Sequence, residues 1–343
     1  MKFFLSGAHN KPSGGAKVIN QIANLFNEKG YKAYVVVPDK SYRADFINNP
    51  AETIGFNDMV KTCKEEDIVI DCWQSVESWN ATKNSKARKK VFWQHGASVP
   101  IGRKYTGPKV FDKNTIYTHQ WNVSKACKEY IQEKYSVDKI DIVHPFFDTE
   151  TLKKYSTQRF KYRRNGLLCL ARRGSQYIPK IIRAFGSKTK ITVIHGYYRE
   201  EEFFEELIRH KFFISVDDGV RNRPIKKIKR KILSIIKPEM RDANSWIVPK
   251  GHLLGFPMPP AEAARCGAIV IGFAMGGGLE WMDDSNCYLA RDRDLESFLF
   301  NIKKALSTSE KELTKISKAT YEATNKFNKE YTWKQICSSL DIK

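Results

Sequence analysis

Apolar and polar positions along the chain alternate between short apolar runs and longer amphipathic segments. The short runs predict buried strands at residues 3–5, 33–37, 68–72, 90–93, 116–118, 140–143, 167–171, 191–194, 212–216 and 269–271. Helical spacing of apolar residues predicts helices over residues 18–26, 123–135, 178–185, 201–209, 295–306, 311–327 and 332–340. This rhythm of strand and helix predicts an α/β fold with mostly parallel, doubly wound sheets.

A polar, charged segment at residues 149–165 interrupts the rhythm, which restarts after it. We interpret this segment as a linker between two Rossmann-like domains, residues 1–150 and 151–327, each of ordinary domain size. A final helical segment, residues 328–343, follows the second domain.

The segment 254–282, LGFPMPPAEAARCGAIVIGFAMGGGLEWM, carries the most specific chemistry. Pro259 and Pro260 predict a helix start, because proline lacks an N–H that the first helical turn cannot use. The amides that follow are then free of intrahelical partners, and the helix macrodipole favours an anion before them. Glu262, just inside this helix, offers an acceptor for hydroxyl groups. A ligand with both a phosphate and a ribose suits these features.

This segment resembles the donor-site signature of retaining GT-B glycosyltransferases of the glycogen-synthase-like, family-four type. The matching residues are Gly255, Phe256, Pro259, Pro260, Glu262, Ala263, Cys266, Gly267, Gly276, Gly277 and Glu280. Leu254 stands where the family has the first of two glutamates, and Pro257 replaces a glycine. The resemblance implies a GT-B fold, with two Rossmann-like domains facing a cleft, and it implies that Glu262 holds the ribose of a nucleotide sugar. The donor-binding residues expected from this segment are Met258, Pro259, Pro260, Ala261, Glu262 and Gly277.

Other site residues follow from the same resemblance. Gly14 and Gly15 head the first long helix, where glycine lets the backbone approach a ligand, and Lys17 adds positive charge beside them. Arg172 and Arg173 follow the first strand of the second domain, where the family places a basic pair on the diphosphate. His95 follows the strand at 90–93, at a place where the family often has a histidine that contacts the transferred sugar. We therefore expect His95, Arg172 and Arg173 to serve catalysis. The stretch at 331–333 resembles the last helix of the family, which crosses back onto the first domain.

Composition limits the cofactors and the compartment. The seven cysteines form no Cys-x-x-Cys pair, and their odd number argues against a disulfide framework and against structural zinc. The histidines do not cluster at metal-ligand spacing, and enzymes of this fold generally need no metal, so we expect no metal and no cofactor besides the donor. The first ten residues are too weakly apolar for a signal peptide, and no apolar run approaches membrane-spanning length. We expect a cytoplasmic protein.

A basic insertion at residues 219–250 separates the last predicted strands of the second domain. Its isoleucines share one helical face, and its charges are carried mainly by Lys226, Lys227, Lys229, Arg230 and Lys231. The formal net charge of the 343-residue chain is +21, which suggests an anionic partner. Three interpretations of the insertion remain open. It docks on an anionic membrane surface, it binds nucleic acid or another polyanion, or its isoleucines pack on the second domain.

These observations predict a metal-independent glycosyltransferase that moves a sugar from a nucleotide-sugar donor to an acceptor hydroxyl group, with retention. The expected acceptor is a glycan or lipid-linked saccharide precursor at the cytosolic face of a membrane, where the protein would be peripheral. One alternative is an enzyme of the same class acting on modified nucleic-acid bases. A second alternative is a non-catalytic module that binds a nucleotide or glycan, because Leu254 replaces the first glutamate of the family.

Overall fold

The computed structural model describes residues 1–7, 13–38, 42, 44–72, 76–96, 99–100, 116–135, 137, 139–156, 160, 163–171, 177–215, 246–247, 255–274, 276–291 and 294–342. Within these residues the chain forms two parallel β-sheets flanked by helices. The predicted α/β class, with two doubly wound Rossmann-like domains, is confirmed.

The first domain contains the larger sheet. Its strands are β1 (Lys2–Ser6), β2 (Lys32–Val37), β3 (Thr53–Gly55), β4 (Ile68–Asp71), β5 (Lys89–Gln94), β7 (His119–Asn122) and β8 (Asp141–Ile142). They lie in the order β3-β2-β1-β4-β5-β7-β8, all parallel. Its helices are α1 (Gly14–Glu28), α2 (Phe56–Thr62), α3 (Val76–Asn84) and α4 (Lys125–Tyr135). A short antiparallel pairing joins β6 (Val99–Pro100) to β12 (Trp246–Ile247).

The second domain repeats the plan with five parallel strands. These are β9 (Arg164–Leu170), β10 (Ile191–Ile194), β11 (His210–Ser215), β13 (Ile269–Gly272) and β14 (Tyr288–Leu289), in the order β10-β9-β11-β13-β14. The helices are α6 (Ile178–Phe185), α7 (Glu200–Arg209), α8 (Met258–Arg265), α9 (Leu295–Ser307) and α10 (Glu310–Ala323). A 3-10 turn, Gly276–Glu280, follows β13.

Both sheets contain a topological switch point. Strands β2 and β4 flank β1 in the first sheet, and β10 and β11 flank β9 in the second. Open α/β sheets bind ligands at the carboxyl ends of the strands, in the crevice where the strand order reverses. Helix α1 follows β1, and α8 precedes β13, so the amino terminus of each helix lies at the carboxyl edge of its sheet. The fold thus offers one candidate binding edge in each domain.

The last helix, α11 (Lys329–Leu340), packs against the first domain rather than the second. The ring of Trp333 meets that of Phe26 edge to face, with centroids 5.7 Å apart. Ser339 Oγ accepts a hydrogen bond of 2.7 Å from the indole N–H of Trp121. Among the described residues, the largest hydrophobic cluster contains buried side chains from both domains and from α11.

Two local predictions are wrong. Residues Glu150–Ser156, inside the predicted linker, form helix α5. Leu152 and Tyr155 are three residues apart, so they lie on one face of this helix, and both are buried. The strand predicted at 116–118 is instead β7, with the sequence HQWN. The strand has no apolar run, so the hydrophobic pattern does not predict it. Two of its four residues are nevertheless buried in the sheet.

Candidate active site between the two domains

The amino-terminal ends of α1 and α8 meet across the cleft between the two domains. A Cβ atom on Gly14, the first residue of α1, would lie 2.9 Å from Cγ of Met258, the first residue of α8. A larger residue than glycine would force these helix ends apart, since a methyl group needs more room than this. The partial positive charges of both helix termini therefore border the same space and favour an anion there.

Within the described residues, two amides at this end of α1 have no hydrogen-bond partner. The Oγ atom of Ser13 accepts a hydrogen bond of 3.1 Å from the amide of Ala16, and the Ser13 carbonyl oxygen accepts one of 3.1 Å from the amide of Lys17. Among the hydrogen bonds of the described residues, none uses the amides of Gly14 or Gly15. These two N–H groups remain available to an anionic ligand.

Helix α8 offers fewer amides than the sequence predicted. It begins at Met258, so Pro259 and Pro260 lie inside its first turn. The next amide, that of Ala261, already donates to the carbonyl oxygen of Pro257 at 3.3 Å. The expectation of unpaired amides after the prolines is therefore wrong, because the helix starts before the Pro–Pro pair. The attraction of α8 for an anion rests mainly on its macrodipole.

Lys17 and Glu262, which were predicted separately, form an ion pair across the cleft. The ammonium group of Lys17 lies between the carboxylates of Glu262, on α8, and Glu200, at the start of α7. It also lies 4.7 Å from the centroid of the Phe204 ring. All three charged side chains are buried, and Glu262 is 5% exposed. Sequence reasoning missed Glu200, and no motif in the sequence could have identified it.

Burial and charge act in opposite directions on these groups. Burial alone would lower the pKa of Lys17, but the charges and hydrogen bonds of Glu262 and Glu200 raise it above the usual lysine value. Burial raises the pKa of Glu262, and Lys17 offsets part of that increase. Lys17 therefore stays a cation, and Glu262 depends on it to remain a carboxylate.

His95 lies at the end of β5 and faces the amino terminus of α1. Its Nδ1 atom would lie 3.0 Å from a Cβ atom on Gly15, and Nδ1 has no hydrogen-bond partner among the described residues. Its Nε2 atom lies 3.6 Å from Sγ of Cys72, and its ring meets the edge of Trp93 with centroids 4.5 Å apart. Burial lowers the pKa of His95 to about 4, so the imidazole is neutral at physiological pH. A neutral ring can donate or accept one hydrogen bond to a sugar hydroxyl group.

The loop before α8 completes the contact between the domains. A Cβ atom on Gly255 would lie 1.7 Å from the carbonyl oxygen of His95, so the two backbones touch directly. The Gly255 carbonyl oxygen accepts a hydrogen bond of 2.9 Å from the amide of Gly277. A Cβ atom on Gly277 would lie 2.7 Å from the Phe256 ring. Gly277 thus supports the loop that carries Gly255 against the first domain.

A second polar contact joins the domains through Glu280, which the signature matched without a role. Its carboxylate accepts a hydrogen bond from the Lys125 amide at 2.8 Å and lies 2.8 Å from Nε2 of His144. The amide of Lys125 is at the first turn of α4, where a carboxylate is favoured. Burial raises the pKa of Glu280, but its hydrogen bonds and the charge of His144 lower it overall. This contact fixes the 3-10 turn of the second domain to the first domain.

Some predicted residues fall outside the described part of the chain. These are Arg172, Arg173, Leu254, Lys226, Lys227, Lys229, Arg230 and Lys231. Strand β9 ends at Leu170, two residues before Arg172, at the switch point of the second sheet. Within the described ranges, no group of three or more His, Cys, Asp or Glu side chains could hold a metal ion. No helix within those ranges is long and apolar enough to cross a membrane.

Comparison with known proteins identifies the fold. No family model matches the chain, and no curated protein sequence matches it. Crystal structures do: Anabaena HepE in complex with UDP and glucose is 14% identical, with a TM-score of 0.66 over 99% of both chains. S. aureus TarM, in a complex that includes UDP, is 8% identical, with a TM-score of 0.67 over 99% of both chains. An α-glucosyltransferase bound to UDP and to DNA containing an HMU base is 12% identical, with a TM-score of 0.64 over 99% of both chains. These proteins have the GT-B fold, and this chain has it too, as predicted.

Proposed function

We propose that this protein transfers a sugar from a nucleotide-sugar donor to an acceptor hydroxyl group, with retention of configuration and without a metal. One observation carries the proposal. The free amides of Gly14 and Gly15 and the carboxylate of Glu262 converge on a single cleft between two Rossmann-like domains. An anion site beside a carboxylate suits a ligand that carries both phosphate and ribose hydroxyl groups.

Each group has a distinct task in this proposal. Glu262 accepts hydrogen bonds from the ribose, as in the family that its signature resembles. The amides of Gly14 and Gly15, with Arg172 and Arg173, stabilise the negative charge that grows on the leaving diphosphate. Fixed donors aimed at developing charge lower the barrier most, so these groups supply the catalytic power. Neutral His95 orients the transferred sugar through one hydrogen bond.

Uracil is the base that we propose for the donor nucleotide. The similar structures of HepE, TarM and the α-glucosyltransferase each contain UDP. Leu254 stands where the resembled family has its first glutamate, which leaves a non-catalytic nucleotide-binding module as the competing proposal. Release of UDP from UDP-glucose, and the anomeric configuration of any glycosylated product, distinguish an enzyme from such a module.

Donor binding is tested by calorimetry with UDP and UDP-glucose. Glu262→Gln keeps the side-chain shape and removes the charge that accepts ribose hydroxyl groups. The glutamine amide oxygen still accepts a hydrogen bond, but a neutral acceptor contributes about 0.5–1.5 kcal/mol where a charged one contributes about 1.5–3 kcal/mol. Affinity should therefore fall roughly 10-fold. Glu322→Gln, at an exposed glutamate of α10, is the matched control and should bind as the wild type does. Equal affinity of both variants would remove Glu262 from the donor site.

The charge of the chain favours an anionic acceptor or an acceptor on an anionic surface. Residues 151–199 contain 13 lysines and arginines and no aspartate or glutamate, in a chain with a net charge of +21. We propose a glycan or lipid-linked saccharide acceptor at the cytosolic face of a membrane. The protein is then cytoplasmic and peripheral, with the insertion at 219–250 on the lipid.

A nucleic-acid acceptor is the second candidate, because one similar structure contains DNA with an HMU base. Phosphate backbones attract the same basic residues as anionic lipid does. Deletion of residues 221–238 should abolish binding to vesicles containing phosphatidylserine and leave UDP binding intact. If the deletion instead abolishes binding to duplex DNA and spares vesicle binding, the acceptor is nucleic acid. If it unfolds the second domain, the isoleucines of the insertion belong to the core.

A further inference from the structure

The glutamate proposed to bind ribose belongs to the second domain, but its ionic partner comes from the first. Lys17 lies one turn into α1 and reaches across the cleft to Glu262 on α8 and Glu200 on α7. The Lys17 side chain is 11% exposed, and those of Glu200 and Glu262 are 8% and 5% exposed. Removal of one partner from a buried ion pair leaves an unpaired charge at high cost. The electrostatics of Glu262 therefore depend on Lys17.

Lys17 contacts only one of the two carboxylate oxygens of Glu262. Its ammonium group contacts Oε1, and the hydrogen bonds of the described residues leave Oε2 without a partner. Glu200 is held separately, since its Oε2 accepts a hydrogen bond of 3.2 Å from the Asn48 amide. The contact with Lys17 thus fixes the rotation of the Glu262 carboxylate and keeps one oxygen for a ligand.

We propose that Lys17 is a positioning residue that keeps Glu262 ionised and turns its free oxygen toward the ribose of the donor. This inference rests on the proposed function. In this proposal Lys17 acts through Glu262, because its ammonium group is already bound by the carboxylates of Glu262 and Glu200. In this proposal, residues of both domains are needed to form the donor site.

The groups around Glu262 determine how its charge responds to pH. Lys17 faces Glu262 from α1, and Glu200 faces it from α7. Cys266 is the C-cap residue of α8, four positions after Glu262. Burial raises the pKa of Cys266 to about 12, so its thiol is neutral. Without Lys17, burial and the charge of Glu200 both favour protonation of Glu262. A protonated Glu262 loses its charge as an acceptor, so donor affinity should then decrease as the pH falls.

The first experiment measures UDP affinity by calorimetry from about pH 5.5 to about pH 8.5, a range wide enough to titrate a buried carboxyl group. Lys17→Met should weaken UDP binding by about 10-fold or more near neutral pH, with further loss as pH falls. Lys17→Arg keeps the charge and should restore both the affinity and the pH profile of the wild type. Lys61→Met, at an exposed lysine of α2, is the control and should match the wild type. A Lys17→Met variant with wild-type affinity at every pH overturns the proposal.

The second experiment is a double-mutant cycle with Glu262→Gln. If Lys17 acts through Glu262, adding Lys17→Met to Glu262→Gln should cause no further loss of UDP affinity. Additive losses overturn the proposal, since they mean that Lys17 contacts the donor itself or acts elsewhere.

Two further outcomes keep the test decisive. Lys17→Met in the Glu200→Gln background removes one charge of each sign, so this double variant should fold even if Lys17→Met alone does not. It should still lose more affinity than the wild type as the pH falls, and a pH profile parallel to that of the wild type would overturn the proposal. Failure of the wild type to bind any UDP overturns both this inference and the proposed function. Wild-type binding with an unaffected Lys17→Met variant overturns this inference alone.

Discussion

The neutral state of His95 leads to a prediction about acid stability. Burial lowers the pKa of His95 to about 4 from the value of 6.5 that a histidine has in the unfolded chain. Between these two pH values the unfolded chain binds a proton that the folded chain does not bind. The free energy of unfolding must therefore fall as the pH decreases from 6.5 to 4. A shift of this size corresponds to at most about 3 kcal/mol.

Replacement of His95 by glutamine removes this titration and keeps a polar side chain of similar length. Urea denaturation followed by tryptophan fluorescence is a suitable assay, because Trp93 contacts the His95 ring. The stability difference between the wild type and His95→Gln should be constant above pH 7. Below pH 6.5 the wild type should lose up to about 3 kcal/mol relative to the variant. His195→Gln, at an exposed histidine, is the control and should follow the wild type.

Two results would refute this reasoning. One is an equal loss of stability in the wild type and in His95→Gln as the pH falls. The other is an NMR resonance of His95 that titrates near pH 6.5, which would mean that water reaches the imidazole. Either result would also remove the argument that a neutral His95 orients the sugar.

Three further predictions concern the contact between the domains and the leaving group. Gly255→Ala puts a methyl group 1.7 Å from a backbone oxygen of the first domain, so it should lower both Tm and UDP affinity in thermal-shift and calorimetric assays. His144→Gln removes the partner of Glu280 and should cost about 1–3 kcal/mol of unfolding free energy at neutral pH. That cost should shrink as the pH falls through the lowered pKa of Glu280, in urea denaturation at each pH. Arg172→Ala and Arg173→Ala should lower kcat more than they raise KM, because diphosphate charge grows in the transition state. Full kcat in both variants would show that other groups hold the leaving group.

Local patterns in the sequence determined the fold class. Helix α6 and strand β10 have the predicted bounds, because their apolar residues repeat at the period of each structure and Pro179 marks the helix start. The segment 254–282 likewise predicted a helix followed by a strand and a glycine turn, and α8, β13 and the 3-10 turn follow in that order. Such features depend on near neighbours in the chain, so a single sequence is sufficient to identify them.

Sequence patterns gave wrong predictions where the local sequence does not show which residues are buried or where a helix begins. The polar strand β7 lacks an apolar run, although its position in the sheet buries Trp121 and Asn122. Helix α8 begins before its Pro–Pro pair, so the amide of Ala261 is paired rather than free. The start of a helix depends on the loop that delivers the chain to it, and a motif does not contain that information.

Only the tertiary structure decided how the candidate site is assembled. Lys17 and Glu262 lie 245 positions apart, and sequence reasoning placed each of them beside a ligand rather than beside the other. Gly255 touches His95, and Glu280 reaches His144, although the members of each pair are also far apart in the sequence. Each of these pairs joins the two domains, so its existence depends on how the domains dock. The way the two domains dock depends on the packing of many side chains together. Residue types and their local spacing determine only which groups each domain places at the cleft.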